Sequence, residues 1–380
     1  MAFNSLKKHF IIPAAGHQKT KQTSTLFAAK TYTVIRHCVP FGLIILLLVF
    51  TASCGRTEPF RVELALGTVC AVTLYDQGTD SVYDAVFSRI REIENLMSVN
   101  IPSSDISLIN KNSGTAPVKV HEETFKVIER ALYFARQSGG AFDPAIGPIV
   151  SLWDIGGDNQ RVPSQEEINQ TLPLVNWRNI ELDAAEKSVY LKEKGMALDF
   201  GAIAKGYAAD EAAKIAAEAG IKRGLIDLGG NIAALGEKKD RSPWKVGIQA
   251  PDVSRGEIMG FLQLTNAASG ARAGKISTVV TSGVYERFFK DDGAHYHHIF
   301  SPSAGYPVQN GLVSVTITAE NSMDADALST AVFVLGYERG SLLLESFPGT
   351  GAVFIFTDKS VIVTGAAEFT LTDNEFYVKK

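Results

Sequence analysis

Asp326 and Thr330 stand four residues apart in the run Asp324-Ala325-Asp326-Ala327-Leu328-Ser329-Thr330-Ala331. On a helix that spacing puts a carboxylate and a hydroxyl on one face. Such oxygen donors suit a hard cation such as Mg2+. Two acids at a helix start are equally good capping. A second segment, Asp199-Phe200-Gly201-Ala202-Ile203-Ala204-Lys205-Gly206-Tyr207, runs into an Ala-rich helix. Small residues let the backbone approach a ligand, and the free N–H groups of the helix start favour an anion. Lys205 opposes the macrodipole there, a poor choice for stability that a nearby phosphate would reverse. The segment matches neither the Walker pattern nor the dinucleotide fingerprint, so an ordinary turn with a solvated lysine stays open.

Three histidines fall in His295-Tyr296-His297-His298, which leads into Ile299-Phe300-Ser301-Pro302-Ser303-Ala304-Gly305-Tyr306-Pro307. On a strand His295 and His297 share one face and His298 takes the other. Missing cysteines and the absent HExxH pattern count against zinc. His298 as a lone base beside a Gly/Pro-bounded loop is the functional reading, and surface histidines are the plain one. Leu228-Gly229-Gly230-Asn231 reads as a strand end and a turn. Gly140-Ala141-Phe142-Asp143-Pro144-Ala145-Ile146-Gly147-Pro148 is a rigid loop with one acid, able to hold a planar ring or to cover the core.

The elements that must position these residues follow from periodicity. Val82, Val86, Ile90, Ile93 and Met97 mark one helix face. Phe125 to Gln137 and Ala202 to Ala219 read as helices closed by glycine, and a fourth spans about Asp324 to Leu335. Val62 to Tyr75, broken at Gly67, reads as a strand or hairpin. Short β-like runs follow at Gly224–Leu228, Trp244–Gln249, Phe261–Leu264, Ser277–Thr281, Leu312–Thr318, Val353–Phe356 and Val361–Val363. No regular β-α-β-α alternation is present. The class is therefore α+β, with a mostly antiparallel sheet and segregated helices in one domain.

With 46% hydrophobic and 21% charged residues, the chain has the balance of a protein with a real core, which excludes disorder. A net charge of −4 offers no basic field for nucleic acid. Residues 1–53 hold six of the 37 Lys and Arg and none of the 41 Asp and Glu. The remainder has 31 basic against 41 acidic residues, a net of about −10. Within that basic front end, Phe41 to Phe50 is ten residues without a polar side chain, too short to span a bilayer but right for a signal-peptide core. Thr51-Ala52-Ser53-Cys54 follows and resembles a bacterial lipobox, although Thr51 stands where Leu is usual. A plain secretory signal is the other reading. The expectation is a signal segment over 1–53, a lipidated tether over 54–60 beginning at Cys54, and a body over 61–380 facing the periplasm. Initiation at Val34 would leave a signal of ordinary length. Only Cys70 remains in the body, so no intrachain disulfide can form there.

The order of the segments resembles the FAD:protein FMN transferase (ApbE-like) family. It is carried by Gly67-Thr68, Met97-Ser98 with Ser104-Asp105-Ile106-Ser107, Phe142-Asp143-Pro144 with Gly147-Pro148, the Asp199-to-Tyr207 loop, Leu228-Gly229-Gly230-Asn231, Thr281-Ser282-Gly283, His298-Ile299 with Pro302 and Gly305-Tyr306-Pro307, and Asp324-Ala325-Asp326-Ala327 with Thr330. It covers about residues 60–360. The resemblance implies one ApbE-like (T-fold-like) domain that binds FAD and Mg2+. It implies transfer of FMN to a Thr or Ser of a target flavoprotein, an electron-transport subunit type, with release of AMP. By motif position Asp326 and Thr330 match metal-binding side chains, and Ala202 matches the donor of a backbone oxygen. Leu66, Asn100, Ala141, Phe142, Asp143, Asp199, Lys205, His298 and Ile299 match FAD contacts, and His298 also matches the proposed base. Two positions depart from the pattern. Leu66 stands where Met is usual. Asn100 stands where an aromatic, commonly Tyr, stacks on the flavin nucleotide, a contact worth about 1–3 kcal/mol by analogy with base stacking. Asn there resembles spirochaete-type members that hydrolyse FAD to FMN and AMP. A periplasmic flavin-binding lipoprotein without catalysis is the alternative from another class.

Overall fold

Leu66 and Gly67 both have positive φ, 53° and 67°, which folds β1 (Phe60–Ala65) back on β2 (Thr68–Leu74) through a two-residue turn. That hairpin opens the computed structural model of the chain, which describes residues 60–76, 78–251, 257–264 and 276–379. The expected signal segment and Cys54 lie outside the described residues. Among those described, no helix is long and apolar enough to cross a membrane.

The elements run in chain order from the hairpin. Helices α1 (Asp80–Met97) and α2 (Asp105–Lys111), strand β3 (Val118–Lys119) and helices α3 (Glu122–Gln137), α4 (Gly147–Trp153) and α5 (Gln165–Thr171) come first. Strands β4 (Ile180–Asp183) and β5 (Ser188–Leu191) precede α6 (Ala204–Glu218). Then come β6 (Gly224–Leu228), β7 (Asn231–Leu235), β8 (Trp244–Gln249), β9 (Ile258–Leu264), β10 (Ile276–Gly283), β11 (Phe288–Asp291), β12 (Ala294–His297) and β13 (Leu312–Ala319). Helix α7 (Ser322–Glu345), β14 (Gly351–Phe356), β15 (Ser360–Gly365), β16 (Glu368–Leu371) and β17 (Tyr377–Val378) close the chain.

The main sheet has nine strands in the order β1-β2-β6-β7-β10-β13-β14-β15-β17, antiparallel except for the last pair. Helices α1, α6 and α7 cover one face, because Cys70, Val72, Ile226, Val315 and Phe354 point there with Ile90, Ala212 and Phe333. On the other face a three-stranded sheet, β16-β9-β8, packs Trp244, Val246, Met259 and Leu262 against Val279, Val353 and Ile355. A third cluster forms around Trp153, whose Nε1 donates to the Gly305 carbonyl at 2.8 Å. The class read from the sequence is the one observed, with segregated helices and an antiparallel sheet.

Boundaries differ where local chemistry overrides the pattern. Helix α6 starts at Ala204 rather than Ala202, because Gly201 to Ile203 form a turn of their own and Ile203 is non-helical (φ −153°, ψ −30°). Helix α7 begins at Ser322 and runs past the expected stop to Glu345, with the backbone leaving helical geometry only at Gly336. Helices α2, α4 and α5 were not foreseen, since seven residues are too few to display a period.

Phe333 is fully buried in α7 while Leu342 on the same helix is exposed. Phe333→Ala should therefore cost about 3–5 kcal/mol and Leu342→Ala at most about 0.5 kcal/mol, measured by denaturant unfolding.

Candidate active site

Two helix starts meet at the centre of the site. Asp210 of α6 accepts the Ser322 and Met323 N–H groups at 2.8 and 2.9 Å, so it satisfies the first donors of α7. Gly206 permits the contact, because a Cβ there would lie 2.3 Å from the Ser322 carbonyl oxygen. Held this close, the Gly206 N–H donates to Asp326 Oδ2 at 3.0 Å. Lys205 Nζ stands 3.8 Å from Asp326 Oδ1 and donates to the Gly201 carbonyl at 2.7 Å. Ala202 lies in the turn between those two residues.

Asp326 is buried, and burial pushes its carboxyl above the usual range, against Lys205, the Gly206 N–H and the Asn231 side chain, which favour the anion. Asn231 is buried too, and its Oδ1 accepts from Ser322 Oγ. Its Nδ2 lies toward the Asp326 carboxylate with no hydrogen bond of good geometry to it or to any other acceptor. One turn further along α7, Thr330 is half-buried, with its hydroxyl 3.3 Å from Ser282 Oγ, which also bonds Ser329 at 2.8 Å. Asp324, the other acid of the run, is not part of this group. It accepts Arg130 through both oxygens, the Nε contact measuring 2.8 Å.

The histidines have three separate environments. His298 follows β12, and its Nδ1 lies 3.1 Å from the Arg287 carbonyl, which also accepts the His298 N–H at 3.2 Å. Nδ1 therefore carries the proton, and Nε2 keeps its lone pair. Burial lowers this half-buried imidazole to about 4; the nearby Arg287, His297 and Lys205 push the same way. Lys205 thus acts on both Asp326 and His298. His297 is buried, with Nε2 against the Val308 carbonyl at 2.8 Å, Nδ1 accepting from the Ile299 N–H at 3.2 Å, and its ring edge-on to Phe333. His295 lies over Phe288 with centroids 4.4 Å apart. Among the described residues no group of three His, Cys, Asp or Glu is placed to hold a metal. The Asp326–Thr330 pair is of a different kind, one carboxylate with a hydroxyl.

The flavin-side candidates divide. Asp199 joins two loops: its N–H donates to the Pro144 carbonyl at 2.9 Å, and its Oδ1 accepts the Gly201 N–H at 2.8 Å. Asp143 is buried and raised to about 6; its oxygens accept the Ala145 and Trp177 N–H groups at 2.8 and 3.1 Å. Phe142 packs edge-on to Phe134 in the core. Both side chains are thus committed inside the protein, and Ala141 beside them is half-buried. Ile299 is buried, and both its backbone groups are used, the carbonyl by Val308 at 2.9 Å. Leu66 sits in the left-handed region, where a non-glycine residue costs about 1–3 kcal/mol. The turn it forms borders Arg287, since a Cβ on Gly67 would lie 3.5 Å from that guanidinium. Asn100 is exposed after α1, and its N–H bond to Ser98 Oγ, 3.2 Å, is local. The structure therefore joins Lys205 to Asp326, sets Ala202 in the turn before Lys205 and Thr330 one helical turn after Asp326, links Lys205 electrostatically to His298, and ties the Asp143 and Asp199 loops. It does not join Asn100 to them by a hydrogen bond.

Residues 66–354 match the model of the ApbE family. The FAD:protein FMN transferase of Treponema pallidum is 40% identical over 341 residues, which cover 84% of this chain and 91% of the relative. That of Klebsiella pneumoniae is 35% identical over 299 residues, or 79% of this chain and 89% of the relative. The chain belongs to the ApbE family. The crystal structure of the ApbE protein from Thermotoga maritima superposes with a TM-score of 0.70 at 33% identity, covering 82% of this chain and 96% of that one. Within this ApbE chain, sequence reasoning gave no role to Asp210 or Arg287 and read Asn231 only as part of a turn. Asp210 bonds residues 112 and 113 positions away, a distance no local pattern can signal.

Gly206→Ala should force α6 and α7 apart, lower stability by about 1–3 kcal/mol and remove the N–H from Asp326; thermal and denaturant unfolding check the first part. His297 has a folded value of about 4 against 6.5 for the free side chain, so its neutral form favours the fold. That contribution is complete above about pH 6.5 and is lost as pH falls through about 4. The stability gap between the parent and His297→Asn should widen as pH rises between those values and then level off, measured by urea unfolding at a series of pH values.

Proposed function

We propose that this protein is an Mg2+-dependent FAD:protein FMN transferase that moves FMN from FAD to a Thr or Ser hydroxyl of a target flavoprotein and releases AMP. The observation that carries the reading is the buried Asp326 carboxylate, one turn before Thr330, against Lys205 and the start of α6. The named activity of the Treponema and Klebsiella relatives supports it. The donor set fits Mg2+. Asp326 is a carboxylate that burial leaves short of compensating charge, its near neighbour Thr330 offers a hard hydroxyl oxygen, and the Ala202 carbonyl belongs to the adjoining turn. When bound, the metal ion would neutralise charge on the phosphoryl oxygens.

The residues of the chain supply the rest. Lys205 and the N–H groups at the start of α6 offset the negative diphosphate. His298 Nε2, unprotonated and oriented by the bond from Nδ1–H to Arg287, takes the proton of the attacking hydroxyl. The hydroxyl oxygen forms a new bond to the phosphorus of the FMN half, the bridging P–O bond breaks, and AMP leaves with that oxygen. A low imidazole value keeps the base free at neutral pH, and a bound diphosphate would raise it toward the working range. With Asn100 in place of the stacking aromatic, the flavin end is less firmly covered, and water competes as acceptor to give free FMN. The acceptor is a flavoprotein of the electron-transport subunit type. The protein is exported and held on a bacterial membrane by lipid on Cys54, facing the periplasm; the lipobox-like Thr51-Ala52-Ser53-Cys54 supports this.

Purified protein incubated with FAD and Mg2+ should release AMP, with and without a flavoprotein acceptor, and EDTA should stop it. His298→Ala should slow the reaction about 10²–10⁴-fold, and Asp326→Ala should abolish the Mg2+-dependent release of AMP. Yellow protein that retains FAD but releases no AMP in any condition would instead identify a non-catalytic flavin binder. Asn100→Tyr should lower hydrolysis relative to transfer, and an unchanged ratio would remove the role given to Asn100.

A further inference from the structure

We propose that the outer face of the β1–β2 hairpin rests on the lipid bilayer. The inference depends on the lipoprotein reading of Cys54. In β1 the usual polarity is inverted. Arg61 and Glu63 point to the helix layer, where Arg61 pairs with Asp80 and Asp84 and Glu63 with Arg91 of α1. The apolar residues point outward: Phe60, Val62 and Leu64 are 67%, 48% and 80% exposed, and Val69 on β2 is 54% exposed. Leu64 stands opposite Val69 and Val62 opposite Ala71, so they form one continuous patch on one side of the pleat. β1 ends the strand order of the main sheet, and the residues that pack on β16-β9-β8 reach outward only to Tyr75 and Leu225. A contiguous apolar face of this kind marks a contact with another phase or molecule.

The position of the patch in the chain selects lipid over a protein partner. Phe60 is six residues after Cys54. A fully extended tether of that length reaches about 20 Å at most, so an acylated Cys54 holds the hairpin at the membrane surface. The outward face bears the apolar side chains of β1, while its charged ones are turned inward and paired. β1 then leads directly to the Leu66–Gly67 turn beside the guanidinium of Arg287, whose carbonyl holds His298, about 20 Å along the strand. Seating this face on the bilayer sets the mouth of the site near the membrane surface, where a membrane-bound acceptor presents its hydroxyl.

The test uses the full chain, carrying Leu64→Trp, in vesicles of phosphatidylethanolamine and phosphatidylglycerol with brominated acyl chains. The mass of the peptide bearing Cys54 is measured first. The fluorescence added by Leu64→Trp should fall at least twofold relative to unbrominated vesicles, while that added by Leu342→Trp should not change. Leu64→Glu should abolish the quenching seen at a Val62→Trp reporter and leave AMP release from FAD in detergent unchanged. An acylated protein with unquenched Leu64→Trp overturns the bilayer contact alone. An unacylated Cys54 overturns the lipoprotein reading and this proposal together. A concentration-dependent dimer that Leu64→Glu dissociates, with no quenching by lipid, assigns the face to a second copy and likewise overturns it.

Discussion

The site depends on one close contact, between the start of α6 and the start of α7. Both helices direct unsatisfied N–H groups and the positive ends of their dipoles into the same place. Carboxylates answer that field from both sides. Asp210 of α6 closes the first donors of α7, and Asp326 of α7 accepts from Gly206 of α6. The exchange is reciprocal, so neither helix can shift without leaving a buried donor or a buried charge unpaired. A residue at 206 any larger than glycine would separate them.

The chemistry follows from how incompletely this field is answered. Burial raises both Asp210, to about 7, and Asp326. Asp210 has two backbone donors and is at rest in a structural role. Asp326 has one backbone donor, a lysine 3.8 Å away that pairs by charge without a hydrogen bond, and an amide lying close without a well-formed bond. A carboxylate in that condition favours a cation or a proton. The base on the other side is prepared by burial as well: a backbone carbonyl fixes the tautomer of His298, and burial, helped by neighbouring positive charge, keeps its second nitrogen free. Strain is stored at the rim, in the left-handed Leu66 beside Gly67 and Arg287.

Much of the architecture was legible because it rests on period and punctuation. The face of Val86, Ile90 and Ile93 gave α1, Gly67 gave the first hairpin, and the β-like runs at Gly224–Leu228 and Trp244–Gln249 match β6 and β8 end for end. Helices of seven residues escaped, because fewer than two turns display no repeat. The end expected near Leu335 was local only: the chain departs from helical geometry at Gly336 and then resumes, with Asn310 bonding the Phe333 carbonyl at the break. The three adjacent histidines could not be told apart from their order. His297 became a buried strut and His298 an oriented base only when Val308 and Arg287 supplied their carbonyls.

By itself the sequence determined the class of fold, the order of its motifs and the pairing of Asp326 with Thr330 on one helix face, since each is set by neighbours a few residues apart. Tertiary structure alone decided which acids act in which role. Asp324 went to Arg130, Asp143 to its own loop, Asp210 to the end of another helix, and Asp326 to the junction with Lys205. The reason is physical. A carboxylate's behaviour depends on the donors and charges around it, and here those come from segments that meet only after the chain has folded.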